Sequence, residues 1–221
     1  MSRTGYHHGD LRRALLEAGL ELARAGGRDA VVLRDAARRA DVSPNAVYRH
    51  FASRDELLAG VARRVQEAMA DQMHSFESPA PPIGSVARNR LRAVGLGYIA
   101  FALEEPGWFD AAFSDLTAQP DAESSPPPPL ALLMVALDAL MDAGELSTEA
   151  RTGAEWPCWS TVHGFALLAL RGPLRAHTPA AVRAAAARAV DTVIGGLLLE
   201  CRDHDDAGPS RGGSGDRALP D

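Results

Sequence analysis

The sequence predicts an all-α protein of about nine helices, with a helix-turn-helix near the amino end and a larger helical domain behind it. Three observations carry that reading. Ala, Leu and Arg are abundant while aromatics make up 5% of the 221 residues, so helix formers fill every periodic stretch and strands have little to build from. Apolar residues recur at three- and four-residue spacing. Between the periodic stretches stand Gly and Pro pairs, the usual helix stops.

Met1–Gly9 is a short polar arm holding Arg3, Tyr6, His7 and His8. From Asp10 a helix carries Leu11, Leu15, Ala18 and Leu22 on one face, and Gly26-Gly27 stops it. A short helix over Arg34–Ala40 is followed by Asp41-Val42-Ser43-Pro44. Ser43 suits an N-cap there, and Pro44 the first helical position. The next helix has about two turns, through His50. Ser53 and Glu56 then have capping-box spacing ahead of a long amphipathic helix through about Met73.

Ser78–Gly84 is a Pro-rich break. Helices follow over Ser85–Glu104, Pro106–Ala118, Leu130–Ala143, Glu155–Arg171 and Pro179–Glu200, and residues 201–221 read as a polar, disordered tail. The expected organisation is a first unit at 1–53, a connecting helix at 54–77 and a second helical domain at 85–200.

The net charge of −6 hides an asymmetry. Residues 1–65 hold 12 Arg against 8 acidic residues, whereas the remainder holds 11 Arg against 21, and Lys is absent. A cationic first part suits a polyanion partner and an acidic second part does not. No apolar run is long enough for a membrane span and the start lacks a signal-peptide core, so a soluble cytoplasmic protein is expected.

Within Leu33–Leu58, a short helix, a turn of about four residues and a second short helix is the layout in which the second helix enters a DNA major groove. Val47 and Phe51 face inward with Val42 and Ala37. Asn45, Tyr48 and Arg49 share the exposed face, where Asn and Arg suit base edges and Tyr suits a phosphate or a thymine methyl.

The run Val42-Ser43-Pro44-Asn45-Ala46-Val47-Tyr48-Arg49-His50-Phe51, with Ser53-Arg54-Asp55-Glu56-Leu57-Leu58 after it, closely resembles the signature of the tetracycline-repressor (TetR) family. The opening Tyr6-His7-His8-Gly9-Asp10-Leu11-Arg12 resembles the start of one branch of that family. The resemblance implies that Ser43, Pro44, Asn45, Tyr48, Arg49 and His50 meet DNA and that Arg54 holds a phosphate. It departs from the pattern at Val32, where a Ser or Thr cap is usual, at Ala36, where the aliphatic is usually larger, and at Asp41, where Gly is usual. Asp tolerates the left-handed conformation that such a turn needs.

Trp159-Ser160-Thr161-Val162-His163-Gly164 resembles the W-x-x-x-H-G motif of one TetR carboxy-terminal domain type. Trp159 and His163 stack along one helix face, a spacing that fits core packing and pocket lining equally. The candidate ligand residues are Trp108, Phe109, Phe113, Met134, Trp159 and His163, with Leu137, Tyr98 and Phe101 in the same set. The last helix carries Ala186, Ala189, Val190, Val193, Ile194 and Leu197, with Gly195-Gly196 permitting close approach. That pattern fits a core helix on one face and a dimer interface on the other. The resemblance implies a homodimer through the last two helices, a double-stranded operator and a small-molecule effector.

Catalysis finds little support. Cys158 and His163, five apart on a helix, point more than about 100° away from each other. There is no phosphate loop or dinucleotide turn, and no cofactor or metal is expected. The alternative to effector control is a constitutive regulator, or a redox-responsive one acting through Cys158 or Cys201.

Overall fold

The computed structural model describes residues 8–78, 81–113 and 125–206; of residues 8–10 and 200–206 only the backbone is described. Ten α-helices and one 3-10 turn make up the described fold, and it holds no strand. α1 (His8–Ala30), α2 (Leu33–Arg39) and α3 (Pro44–Val47) form the amino-terminal bundle with the start of α4 (Arg54–Ser75). Behind them come α5 (Val86–Glu104), α6 (Pro106–Ala112), α7 (Pro128–Asp142), α8 (Thr148–Arg151), α9 (Glu155–Arg171) and α10 (Pro179–Asp206).

The helix breaks follow their residues. α1 kinks at Gly26 and at Gly27, whose φ of 69° suits glycine. Asp41 takes a φ of 53°, so the turn before α3 adopts the left-handed conformation with Asp in the usual glycine's place. Ser53 accepts from the Glu56 N–H while the Glu56 carboxylate accepts from the Ala52 N–H, one residue earlier than a strict capping box. Ser85 caps α5 by accepting from the Arg88 N–H.

Several expectations change. α3 has one helical turn, not two, because the chain from Tyr48 to His50 tightens into i to i−3 bonds before Phe51 turns inward. Ser43 sits at the N-cap of α3 without a side-chain cap bond. α8 and the 3-10 turn at Pro173–Ala176 lack a periodic apolar face, and periodicity misses them. α10 runs on to Asp206, past the expected end at Glu200. The opening Tyr6-His7 and residues 207–221 lie outside the described residues.

One apolar core is continuous through both halves. Leu15, Val47, Phe51, Leu57 and Val61 fill the amino-terminal bundle; Met69, Met73, Ile99, Phe101, Leu137 and Leu140 fill the second. Gly19 and Gly60 let α1 and α4 approach closely, since a Cβ on either would fall within 3 Å of Val61 or Leu16. Polar ties fix the helices of the second half. Arg92, almost wholly buried, pairs with Asp191 and so joins α5 to α10. Arg151 pairs with Asp138 and Glu155, joining α8 to α7 and α9.

Candidate functional site

On the amino-terminal bundle the expected inward and outward residues separate as the pattern requires. Val47 and Phe51 are fully buried, whereas Ser43, Pro44, Asn45, Tyr48 and Arg49 are exposed and His50 is half-buried. With α3 only one turn long, Asn45 stands on the helix and Tyr48 and Arg49 on the turn beyond it. Arg49 and His50 line an open cleft of about 540 Å³ with Arg12, Arg13 and Arg64, from α1 and α4, and with Glu17 of α1. Asn45 and Tyr48 lie outside that cleft. The cleft therefore gathers four guanidinium groups beside the recognition turn, a suitable surface for phosphate. Arg12, Arg13 and Arg64 were missed because the signal is spatial; the adjacent Arg12-Arg13 pair was the one trace of it in the sequence.

Arg54 behaves differently from its expected role. Its Nε donates to the Val31 carbonyl at 2.8 Å and its Nη2 to the Arg28 carbonyl at 2.5 Å. Two of its nitrogens are thus committed to carbonyls at the α1–α2 corner, where the Arg28 carbonyl also accepts from the Val31 N–H. In this structure it braces α4 against the α1–α2 corner, with about a third of the side chain still exposed.

In the second half, four of the six expected ligand residues come together. Phe109 and Phe113 of the α6 region meet Trp159 and His163 of α9 around Tyr98 of α5. Trp159 and His163 stack with an interplanar angle of 9°. The Tyr98 hydroxyl lies 2.8 Å from His163 Nδ1. Burial pushes the Tyr98 phenol far above its usual range and lowers the His163 pKa, so both are neutral at physiological pH.

Trp108 and Met134 do not join them. Trp108 points the other way from α6: its Nε1–H donates to the Leu20 carbonyl at 2.8 Å, and its ring lies between Phe101 and the Arg24 guanidinium. It is an anchor for α1. Met134 is half-buried on α7 and does not line the apolar cleft described below, whereas its neighbour Leu133 does.

Two spaces flank the aromatic cluster. One is a narrow, wholly apolar cleft of about 20 Å³ walled by Met73, Val94, Tyr98, Leu133, Trp159 and Ile194 among others. Cys158 also lines it, and burial pushes its thiol up to about 11, which leaves little thiolate at neutral pH. The other space is a polar mouth between the end of α1, α6 and α9.

α6 joins the two halves of the molecule. Gly107 packs so tightly on α1 that a Cβ there would lie 2.4 Å from the Ala23 carbonyl oxygen. The Arg28 N–H donates to Asp110 at 2.9 Å, Arg24 pairs with Glu105, and Arg171 of α9 pairs with Asp110.

Comparison with known proteins agrees with this architecture. Residues 15–61 match the model of bacterial regulatory proteins of the tetR family, and residues 91–193 match that of the tetracyclin repressor-like carboxy-terminal domain. The chain belongs to the TetR family. It is accordingly a DNA-binding transcriptional regulator with an amino-terminal helix-turn-helix. The second match contains the Trp159–Gly164 motif, and the first takes in the start of α4 with the helix-turn-helix.

Among solved structures, a protein of unknown function from Rhodococcus sp. RHA1 is 26% identical, covering 89% of this chain and 100% of its own, with a TM-score of 0.64. A TetR regulator from Streptomyces coelicolor shares the fold at 18% identity and a TM-score of 0.62, over 85% of this chain and 97% of that one. So does a TetR variant from Acinetobacter baumannii in complex with minocycline, at 18% identity and 0.60, over 87% and 97%. No curated protein matches the chain. No helix among the described residues is long and apolar enough to cross a membrane.

Proposed function

We propose that this TetR-family regulator is a homodimeric repressor, released from a pseudo-palindromic operator by a small, largely apolar effector. In this reading residues 1–53 are the DNA-binding unit, 54–77 the connecting helix, and 85–200 the effector and dimerisation domain. Asn45 and Arg49 read bases, Ser43, Pro44, Tyr48 and His50 position the recognition turn on the backbone, and the arginine cleft takes phosphates.

The observation that carries the effector reading is the position of the aromatic cluster. Tyr98 and Trp159 wall the apolar cleft and also touch Phe113, the C-cap of the helix that holds Phe109 and that Gly107 and Asp110 tie to α1. A molecule that parts these rings presses on α6, and α6 has no slack against α1. A palindrome fixes the half-site spacing near one helical turn, about 34 Å, so a small shift in each subunit puts both recognition turns out of register. A preference of about 1–3 kcal/mol for the released state changes operator affinity by roughly 5- to 150-fold.

The dimer reading is supported by the outward faces of the last helices. Gly164 of α9 and Gly195 and Gly196 of α10 have nothing of their own chain within 4 Å of a Cβ position. Leu168 and Leu199 stand about half exposed beside them. Small residues and apolar side chains facing outward on adjacent helices suit a four-helix interface.

The test is anisotropy of labelled duplexes drawn from the DNA flanking the gene. Binding to a palindromic site should fall steeply as salt rises, and a screen of apolar molecules should release it. No preference over random duplex would overturn the DNA assignment for this chain. Undiminished binding throughout the screen would leave a constitutive regulator instead.

A further inference from the structure

We propose that Asp110 is a positioning residue for DNA binding: through it the end of α9 holds the α1–α2 corner of the amino-terminal unit in place. One carboxylate makes both connections. Its Oδ2 accepts from the Arg28 N–H at 2.9 Å, and its Oδ1 accepts from Nη2 of Arg171, the last residue of α9. These partners stand 82 and 61 positions away along the chain. The helix that carries Trp159 and His163 thus reaches α1 directly at Asp110, without passing through the aromatic rings.

The place for the carboxylate is shaped on both sides. Gly27 has a φ of 69°, and a Cβ there would lie 2.4 Å from Asp110 Oδ2. Glycine therefore lets α1 kink and also leaves room for the carboxylate. Beyond the kink the Arg28 N–H turns to α6, while the Arg28 carbonyl accepts from Arg54 Nη2 of α4 and from the Val31 N–H. The backbone of this one residue is held by α6 at its N–H and by α4 at its carbonyl. The chain then enters α2, which packs against α3 and so against the recognition turn.

The magnitudes suit placement more than global stability. The Arg171 side chain is 64% exposed and that of Asp110 24%, so water screens the pair. An exposed pair of this kind shifts a local equilibrium by about two- to fivefold. The bond from a backbone N–H to a carboxylate shifts it by about tenfold or more. Asp110 carries both, and Arg171 fixes the direction in which its carboxylate points.

The test is amide hydrogen exchange, read by mass spectrometry on the full-length protein without DNA. Exchange at Arg28–Val31 reports local opening of the corner. Arg171→Ala, on α9, should speed it by about two- to fivefold, and Arg171→Lys, which keeps the charge, should restore it. Asp110→Asn keeps an acceptor for the Arg28 N–H and loses the charge, so it should match Arg171→Ala. Asp110→Ala should speed exchange by about tenfold or more. Arg171→Ala added to Asp110→Asn should change nothing further, because both remove one interaction. Exchange in α5 and the urea midpoint should stay constant in the Arg171 variants, which a general loss of stability would not allow. Arg175→Ala, an exposed neighbour on the 3-10 turn, should leave the corner as it is.

On a duplex that the unaltered protein binds, Arg171→Ala should weaken affinity by about two- to fivefold with the salt slope unchanged, since the residue acts on the corner and not on phosphate. Three results would overturn the role: unchanged corner exchange in Arg171→Ala, additive effects in the double variant, or unchanged duplex affinity where corner exchange has risen. The exchange measurement needs neither operator nor effector, so its failure is distinct from a failure of operator release.

Discussion

The recognition corner and the aromatic cluster are built in opposite senses. Between Ser43 and Arg49 the polar side chains point outward from a small apolar core, and consecutive residues do the work. Around Tyr98 the functional side chains point inward, and they arrive from α5, the α6 region and α9, up to 65 positions apart. The first region can meet DNA without rearranging. The second is closed around its own rings, so in the proposed reading a ligand that parts them also presses on α6. A rigid reader and a deformable sensor are thus divided between two kinds of packing, with the α1–α6 contact as the joint.

The joint offers the largest effect. Gly107→Ala places a methyl group against the Ala23 and Arg24 carbonyls, which are backbone and cannot rotate away. Overpacking of that kind costs about 1–3 kcal/mol, so the urea midpoint should fall clearly. Gly164→Ala is the matched control, since its Cβ meets nothing of its own chain. Its unfolding at low protein concentration should be unchanged or improved, and dimer affinity should carry the effect. Equal loss of stability in both variants would remove the contrast between the two glycines.

Arg54 separates a brace from a DNA contact. Arg54→Ala deletes two charge-assisted bonds to the α1–α2 corner, a loss of about 1–3 kcal/mol for a group one-third exposed. The change should appear as reduced thermal stability without DNA, with the salt dependence of operator binding nearly unaltered. A salt slope reduced by about one, with stability intact, would restore the phosphate role.

These outcomes bear on what the sequence could reveal. The recognition corner was legible because its signal is contiguous: a left-handed Asp41, a Pro44 start and alternating burial all fall within ten residues. The bracing contacts of Arg54 were not legible for the same reason, since its partners at Arg28 and Val31 lie 26 and 23 positions back. In the second half, helix positions were legible from periodicity and breaks. Which aromatic faced which neighbour was not, because α6 is apolar on both sides: Trp108 turns to α1, and Phe109 to the cluster. Met134 and Leu133 are adjacent on α7, and only packing decides that Leu133 meets the cleft.

Within the recognition corner, Asn45→Ala should relax preference at one or two base positions by about 1–3 kcal/mol. Tyr48→Ala should lower affinity for all duplexes alike. A panel of singly substituted operators measured by anisotropy distinguishes the two, and identical profiles would remove the assignment of Asn45 to base reading.

The smallest effect is a pH dependence that the cluster should show and the recognition corner should not. Burial lowers the His163 pKa below its ordinary 6.5. The unfolded chain therefore takes up a proton at this residue as pH falls through about 6.5, while the folded chain does not until lower pH. Unfolding then binds protons, so stability is fully present above about 6.5 and declines as pH falls toward the folded value. A single proton gives at most about 1.4 kcal/mol per pH unit, and a half-exposed imidazole, screened by water, gives only a fraction of that. Glu145, whose pKa is lowered by Ser85 and Arg88, shifts stability in the same direction but only as pH falls below 4.5 and through its folded value. Melting between pH 7 and 5 therefore separates this imidazole from Glu145. In His163→Gln, where an amide oxygen can still accept from Tyr98, the decline across that window should flatten. A decline of unchanged slope would place the titrating group elsewhere and would undo the assignment of a neutral His163 to the sensor.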